Sequence, residues 1–483
     1  MRRLIGLTKR LLLVVAGLVF GALGMRAWMS ERGPPLEPWH TLVPDELSAG
    51  AMDHASWAEY TLAEKRLFED VTTQIDRRID PEDRTAFNRY YSESVVNPAR
   101  FPVDWNRSYV REPPGTPVGV VVLLHGLSDS PYSLRHIADC YRSHGFVAIG
   151  MRLPGHGTVP GGLTRVDWED WMAAVRLAMR EAARRAGDNL PVHIVGYSNG
   201  GALALKYALD ALDDPSLRRP DRIVLISPMI GVPPSARFAG VAGWPAVLPS
   251  FAKAAWLTIA PEYNPFKYNS FPINAARQSY RLTTALQAEV AERADKGELA
   301  QLAPVLTFQS IVDSTVVTGA VVSALYAFLP KNGSELVLFD VNRKMDVGPL
   351  LRSDARATTA SLLPAPPRNY RVAVVTNADA SRQDVVARVT EADAVQEESH
   401  DLGVAYPPQV FSLSHIALPF PVSDGLYGLE PDPAEQVGVH LGTLGMRGER
   451  GVLEVGMDAL MRITSNPFFP YLIERVEAGI GQP

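Results

Sequence analysis

The sequence has almost no cysteine and none of the common motifs for metals or nucleotides. Its 483 residues include one cysteine, Cys140, so no intrachain disulfide can form. The absence of an H-E-x-x-H motif and of paired C-x-x-C motifs gives no indication of a metal site. The chain also lacks G-x-G-x-x-G and G-x-x-x-x-G-K-[ST], so the sequence predicts no nucleotide.

The chain also lacks a basic stripe. Its formal net charge is -6 and its sequence pI is about 6.0, which argues against nucleic acid as a partner. The composition is 46% hydrophobic and 21% charged, the profile of a globular protein with enough apolar material for a large core.

The N-terminus carries a charged segment followed by an apolar one. Four basic residues within the first ten precede an uncharged apolar run over residues 11–25. This order is typical of a signal sequence. We predict a signal anchor or transmembrane segment over residues 1–29, with a cleaved signal peptide as the alternative. The basic residues would stay in the cytoplasm and place the remainder across the membrane.

Residues 30–111 form a second region, which we call the N-terminal extension. Four prolines between positions 34 and 44 suggest a linker. A helical pattern begins at Trp57 and places Tyr60, Leu67 and Val71 on the same face. We therefore expect a linker followed by a helix.

From residue 112 to residue 483 strands alternate with helices. The continuous apolar run VGVVVLLHG is typical of a parallel strand buried on both faces. The alternation predicts an α/β fold in which helices flank a mostly parallel central sheet. Two stretches interrupt it. Residues 231–297, the aromatic segment, are predicted to be a helical lid over an acyl-chain site or else a structural appendage. Residues 342–409, the sheet insertion, are less regular and contain one apparent strand, RVAVV.

Ser198 lies where an apolar run passes into a helix-forming stretch, in the sequence GYSNGG. This is a G-x-S-x-G pattern, in which a strained strand-to-helix turn exposes the serine hydroxyl. A Cβ atom at Gly196 or Gly200 is expected to collide with the neighbouring strand or helix. The N-terminus of the following helix points its positive end at an oxyanion beside the serine. We predict that Ser198 is a nucleophile.

A serine nucleophile needs a base within hydrogen-bond reach and an acid that orients the base. His415 follows an apparent short strand late in the chain and is the predicted base. Asp313 follows an earlier strand and is the predicted acid. Asp340 and Asp379 also follow apparent strands and remain alternatives for the acid.

The oxyanion of such a reaction needs hydrogen-bond donors. The backbone N–H groups of Leu127 and Asn199 are the predicted donors, because they follow the first buried strand and the nucleophile. His125 and Gly126 end that first strand and are predicted to shape the loop that carries Leu127.

These motifs resemble those of α/β-hydrolases of the serine-hydrolase type. The matching pieces are LLHGLSDS, RLPGHG, GYSNGG, SIVDSTV and LSHIALPF. Within the superfamily the chain is similar to the bacterial carboxylesterase, monoglyceride lipase and lysophospholipase-like group, often placed in the serine aminopeptidase clan. The resemblance implies a triad of Ser198, Asp313 and His415, oxyanion donors at Leu127 and Asn199, and no cofactor. One departure is the long separation of the acid from the histidine, for which the family usually needs only a few tens of residues.

We therefore expect a serine hydrolase that cleaves carboxylic esters, lipid-like or otherwise, through an acyl-enzyme. Amide or peptide hydrolysis and acyl transfer are alternatives on the same triad, and a non-catalytic scaffold at the cell envelope is a third. The expected partners are a small-molecule or lipid ester and, through the N-terminal segment, the membrane. The expected location is the bacterial inner membrane with the catalytic domain on the periplasmic side, or the periplasm or exterior after cleavage.

Overall fold

The fold is built on one large sheet. The computed structural model of the chain describes residues 2–344, 362–435, 439–443, 461–462 and 465–481. Within these residues the strands are β1 (Tyr109–Arg111), β2 (Gly119–Leu124), β3 (Phe146–Met151), β4 (Val192–Tyr197), β5 (Arg222–Ile226), β6 (Trp256–Thr258), β7 (Phe271–Pro272), β8 (Val305–Ser310), β9 (Glu335–Phe339), β10 (Arg371–Asn377), β11 (Asp384–Thr390) and β12 (Glu397–Ala405).

The main sheet has the spatial order β1-β3-β2-β4-β5-β8-β9-β10-β11-β12. Neighbouring strands from β3 to β10 are parallel. The strands at the two edges, β1 on one side and β11 and β12 on the other, are antiparallel to their neighbours. Strands β6 and β7 form a separate short antiparallel pair. The prediction of a mostly parallel α/β sheet is confirmed.

Helices cover both faces of this sheet. In the described part of the chain the α-helices are α1 (Arg2–Glu31), α2 (Pro38–Thr41), α3 (Ala49–His54), α4 (Trp57–Asp76), α5 (Arg135–Ser143), α6 (Trp168–Ala186), α7 (Asn199–Asp213), α8 (Ala239–Ala242), α9 (Ile273–Asp295), α10 (Thr318–Ala324) and α11 (Phe469–Ile480). Helices α6, α7 and α9 contribute to the core on one face, and α5 and α11 to the core on the other.

Strand β2 illustrates how the apolar runs become buried. Val120, Val122 and Leu124 belong to the core that contains α6 and α7. Val121 and Leu123 point the other way, into the core that contains α5. Because successive side chains of a strand alternate between faces, a central parallel strand with helices on both sides must be apolar throughout.

Helix α1 is the one described helix that is long and apolar enough to cross a membrane. The span covers Thr8–Glu31, has a mean hydropathy of 2.0 and is almost entirely exposed. A signal sequence has the same properties, so the helix is compatible with both predictions for the N-terminus. Its C-terminal end contacts the aromatic segment. Arg26 donates a hydrogen bond to the carbonyl of Trp256, and the Lys253 ammonium donates one to the carbonyl of Gly33 at 3.1 Å.

The N-terminal extension is joined to the sheet through a buried ion cluster. Arg152, which follows β3, is 1% exposed. Its Nη1 and Nη2 atoms lie 2.8 and 2.9 Å from the two carboxylate oxygens of Glu46, and its Nε atom lies 2.9 Å from Glu64 Oε1. Both glutamates belong to the extension. The guanidinium also donates to the carbonyl of His156 at 3.1 Å, so the same cluster holds the loop after β3.

The sheet insertion returns to the point from which it starts. It adds β10, β11 and β12 to the edge of the sheet beyond β9. The Asn342 N–H donates to the carbonyl of Phe411 at 2.8 Å, and the Tyr406 hydroxyl donates to the carbonyl of Asp340 at 2.6 Å. The two ends of the insertion are therefore joined by hydrogen bonds beside the end of β9.

Two expectations for this region are wrong. The insertion is more regular than the sequence suggests, because the acidic stretch near residue 398 forms the edge strand β12. An exposed, charged edge strand lacks the apolar alternation that marks a strand. In addition, the short strand expected directly before His415 is not formed, since residues 406–414 contain no strand. The histidine begins a 3₁₀ turn, His415–Ala417, because the returning chain contacts residue 342 through isolated hydrogen bonds and forms no ladder.

The Arg152 cluster predicts a large loss of stability on mutation. Substituting Arg152→Met leaves two carboxylates without their cation in a buried site, which is expected to cost about 3–5 kcal/mol of unfolding free energy. Chemical denaturation of the full-length protein in detergent solution measures this loss. Arg184→Met is the matched control, since Arg184 pairs with Glu181 but is 67% exposed, and its cost should stay below about 1 kcal/mol. Equal effects of the two substitutions would contradict the assignment.

Candidate active site

Ser198 occupies a strained turn between β4 and α7. Its φ angle is 54°, in the left-handed region that side chains other than glycine rarely adopt. Its N–H donates to the carbonyl of Ile226 at 3.0 Å, which fixes the turn against β5. A Cβ atom added to Gly196 would lie 2.3 Å from the carbonyl oxygen of Gly200, and one added to Gly200 would lie 2.0 Å from that of Leu124. The two glycines therefore allow the close approach expected from the sequence.

His415 and Asp313 form a buried pair. His415 Nδ1 lies 2.7 Å from Asp313 Oδ2, although 102 positions separate the two residues in the chain. The other carboxylate oxygen accepts hydrogen bonds from the N–H groups of Thr315 and Val316 at 2.8 and 3.1 Å. Burial raises the pKa of Asp313, but the attraction of His415 and these hydrogen bonds outweigh burial and hold that pKa below its ordinary value. The carboxylate can thus keep the Nδ1–H tautomer of His415.

The two alternative acids lie elsewhere. The buried Asp340 carboxylate accepts hydrogen bonds from Arg343 Nε at 2.7 Å and from the Thr376 hydroxyl at 3.0 Å. Asp379 lies in an exposed turn and accepts from the Ser381 N–H at 2.7 Å. Neither carboxylate contacts His415 in the described part of the chain, whereas Asp313 does.

The loop after β2 is held by a buried neutral histidine. The Leu153 N–H donates to His125 Nε2 at 3.0 Å, so the proton is on Nδ1, which donates to the carbonyl of Gly126 at 2.8 Å. Burial and the neighbouring His156 lower the pKa of His125 well below its ordinary value. The ring is therefore uncharged and acts as a brace for the loop that contains Leu127.

The predicted oxyanion donors have free N–H groups. Leu127 lines the same pocket as Ser198, and Asn199 is the first residue of α7. Neither backbone N–H donates a hydrogen bond to any other residue that the structure describes. Unpaired N–H groups next to a serine are suited to binding a developing negative charge.

Ser198 and His415 open into one pocket of about 360 Å³. Its wall combines the loop after β2, the turn after Asp313 and the aromatic segment. The aromatic segment contributes seven lining residues, which are Val232, Pro233, Ala236, Lys267, Phe271, Ala276 and Ser279. The segment predicted as a lid therefore lies against the pocket.

Sequence reasoning missed Tyr197, Lys267 and Arg462, which all line this pocket. The Tyr197 hydroxyl donates to the carbonyl of His415 at 3.2 Å, and the two rings lie 5.3 Å apart, so Tyr197 supports the histidine. Its only sequence signal is its position directly before Ser198. Lys267 lines the pocket from within the aromatic segment, and nothing in the local sequence distinguishes it.

Among the residues that the structure describes, two groups of side chains outside this pocket have a geometry that could hold a metal ion. They are His136, Asp424 and Glu435, and Cys140, His144 and Glu477. In the first group Arg135 already pairs with both carboxylates at 2.6 Å. In the second, burial raises the pKa of the Cys140 thiol to about 12, which disfavours the thiolate that a metal requires. Neither group includes a residue of the serine site.

The chain has recognisable relatives. Residues 115–338 match the family model described as serine aminopeptidase, S33. A thermostable monoacylglycerol lipase from Bacillus sp. (strain H-257) is 35% identical over 92 residues, which cover 19% of this chain and 35% of the relative. Phospholipase YtpA from Bacillus subtilis (strain 168) is 28% identical over 117 residues, which cover 24% of this chain and 42% of the relative. The chain thus spans less than half the length of each of these relatives.

Solved structures are also similar. One, from a report on the metagenome-derived lipolytic enzymes LipS and LipT, is 23% identical with a TM-score of 0.39, and the match covers 50% of this chain and 89% of that one. The family match and the observed sheet agree with the resemblance drawn from the sequence motifs. Residues 115–338 are therefore similar to the α/β-hydrolases, and within them to the serine hydrolases of the monoglyceride lipase and esterase type.

Proposed function

We propose that the protein is a serine hydrolase that cleaves carboxylic esters of lipid-like substrates at Ser198. The observation that carries the proposal is the geometry of three side chains. Ser198 and His415 line one pocket, and His415 Nδ1 is 2.7 Å from a buried Asp313 carboxylate. The relatives named as a monoacylglycerol lipase and a phospholipase support an ester substrate.

In the proposed mechanism, His415 takes the Ser198 hydroxyl proton on Nε2 while the serine oxygen attacks the ester carbonyl. The N–H groups of Leu127 and Asn199 bind the resulting oxyanion. The tetrahedral intermediate collapses, the C–O bond to the alcohol breaks, and His415 returns the proton to the leaving alcohol. Water then attacks the acyl-enzyme by the same route and releases the acid. Asp313 orients His415 and stabilises its charged form throughout.

The walls of the pocket favour an apolar acyl group. Met229, Val232, Phe271 and Ile416 face the space next to Ser198. Burying an acyl chain against such side chains is favourable by about 0.8 kcal/mol per methylene. We propose that the aromatic segment acts as a lid over this acyl site.

The N-terminal helix supports a membrane location. In the proposal, α1 anchors the protein in the bacterial inner membrane, and its basic end stays cytoplasmic while the catalytic domain is periplasmic. The aromatic segment carries six exposed apolar side chains beside the end of α1, which we call the apolar patch. They are Phe238, Val241, Trp244, Val247, Leu248 and Leu257. Such a cluster next to an apolar helix is suited to contact with the bilayer surface.

Replacement of the nucleophile tests the proposed chemistry. Ser198→Ala in the full-length, detergent-solubilised protein should abolish hydrolysis of p-nitrophenyl esters of graded acyl length, because no other hydroxyl occupies the turn. A fluorophosphonate probe should label the parent protein and not the variant. A folded parent protein that neither cleaves an ester nor reacts with the probe would contradict the proposal. Cleavage of amides in preference to esters would favour the peptidase alternative.

Replacement of the acid tests which carboxylate orients the histidine. Asp313→Asn should lower kcat by on the order of 10³- to 10⁴-fold, because the tautomer of His415 is no longer held. Asp379→Asn is the control and should leave kcat unchanged. In the parent protein the rate should fall as the pH is lowered, since protonated His415 cannot act as a base, while Asp313 stays ionised because its pKa is held low. A flat acid limb would contradict this assignment.

The apolar patch predicts a difference between dispersed and bilayer-embedded substrates. Val247 is 83% exposed. Val247→Asp should lower the rate on esters embedded in vesicles about tenfold, because burying a valine in lipid is worth about 1.5 kcal/mol. Hydrolysis of a soluble short-chain ester should not change. Val395→Asp, at an exposed valine in the turn between β11 and β12, is the control. A loss on both kinds of substrate would indicate a structural effect instead.

A further inference from the structure

The charged side chains that line the catalytic pocket are cationic. Two cationic side chains, Lys267 and Arg462, line it together with Ser198 and His415. Among the described residues that line the pocket there is no carboxylate. Most of the remaining wall is apolar, so little in it compensates these charges. Burial disfavours the charge of Lys267 unless an anion pairs with it, whereas the exposed Arg462 keeps its hydration.

The backbone around Lys267 is fixed against the loop that carries the predicted oxyanion donor. The Tyr268 N–H donates to the carbonyl of Ser128 at 2.7 Å, and the Lys267 carbonyl accepts from Arg89 Nη1 at 3.3 Å. Lys267 therefore lies one residue from a direct contact with the loop of Leu127. These two hydrogen bonds fix the backbone position of Lys267 in the pocket wall.

Within the described residues, the ammonium of Lys267 makes no ion pair within 4.0 Å. Asp129 is the acidic group that attracts it, but Asp129 does not line the pocket. Burial lowers the pKa of Lys267, and the charge of Arg462 lowers it further, while Asp129 opposes both. Both cations line the same pocket, so an anion bound between them would be attracted by both charges.

Arg462 is held beside the catalytic histidine. Its carbonyl accepts a hydrogen bond from the Ser414 hydroxyl at 2.6 Å, and its guanidinium donates to the Thr315 hydroxyl at the mouth of the pocket. Ser414 precedes His415, and Thr315 follows Asp313 by two positions. The guanidinium has five N–H donors and uses one of them for Thr315, so Arg462 can offer further donors in the pocket wall.

We propose that Lys267 and Arg462 form an anion subsite, and that the preferred substrate is an ester carrying a phosphate group close to its scissile carbonyl. This inference rests on the proposed ester hydrolysis at Ser198 and specifies its substrate class. In the bound complex the acyl chain lies along the apolar wall and the phosphate lies between the two cations. Charge-assisted hydrogen bonds to a phosphate are about twice as strong as neutral ones and would hold the carbonyl at Ser198.

A pair of matched substrates tests the subsite. Full-length protein in mixed micelles is assayed on a 1-acylglycerol and on the 1-acylglycerol 3-phosphate with the same acyl chain. The parent protein should have a kcat/KM at least about tenfold higher for the phosphate ester, the range of one charge-assisted hydrogen bond. Lys267→Met should lower kcat/KM for the phosphate ester more than for the neutral ester and so remove most of this preference. Lys267→Arg should retain the preference.

Two further variants keep the test decisive. Arg462→Met changes an exposed side chain, so the protein should fold, and it should also reduce the preference for phosphate. Lys296→Met removes an exposed lysine that pairs with Glu292 at the end of α9, and it should leave both rates unchanged. This control accounts for general attraction of the anionic substrate to the protein.

The outcomes separate the subsite from the hydrolase itself. Equal kcat/KM values for the two esters in the parent protein overturn the anion subsite. An equal fall on both esters in Lys267→Met also overturns it, and assigns the lysine to the oxyanion or to the fold. If neither ester is cleaved, or if Ser198→Ala retains the activity, the proposed hydrolysis fails instead.

Discussion

The close approach of backbone to backbone at the turn after β4 is the constraint on which the site depends. The space at Gly200 is so small that a Cβ atom would lie 2.0 Å from the carbonyl oxygen of Leu124. This contact packs the start of α7 against the end of β2, so Ser198 and the loop with Leu127 come together. The left-handed φ angle of Ser198 persists because strands on both sides fix the turn. The positions of the proposed nucleophile and the proposed oxyanion donors thus depend on one packing contact.

The histidine reaches this turn in spite of a long detour of the chain. Between β9 and His415 the chain adds three strands to the sheet edge and then returns to residue 342. Because the two ends of the detour are hydrogen-bonded to each other, its length has little influence on where His415 lies. His415 and Asp313 are 102 positions apart in the sequence, yet His415 Nδ1 lies 2.7 Å from Asp313 Oδ2. Such an insertion changes the edge of the sheet and leaves the geometry of the site intact.

The sequence predicted the parts of the site that depend on local chain geometry. The glycines around Ser198 and the buried run of β2 determine their own conformations, so short patterns identify them. Asp313 remained one of three acids, because which carboxylate meets His415 depends on the order of the strands. The edge strand β12 and the pairing of Arg152 with Glu46 were missed, since both are tertiary. An exposed edge strand such as β12 lacks the apolar alternation that predicts a strand. The sequences around Glu46 and Arg152 do not show that these two residues pair, because they are far apart in the chain.

Long-range contacts also connect the N-terminal helix to the aromatic segment, which lines the pocket. Arg26 near the end of α1 bonds to the aromatic segment, and His40 of the extension lies 2.9 Å from Ser270 in that segment. Burial lowers the pKa of His40 to about 4, so this hydrogen bond is uncharged and persists at neutral pH. The aromatic segment in turn supplies Lys267 and Phe271 to the pocket wall. A helix that sits in a bilayer would therefore hold the aromatic segment at a fixed height above the lipid. The anchor would then orient the pocket relative to the bilayer, and the catalytic domain would not have to diffuse to the membrane to meet an ester in the lipid.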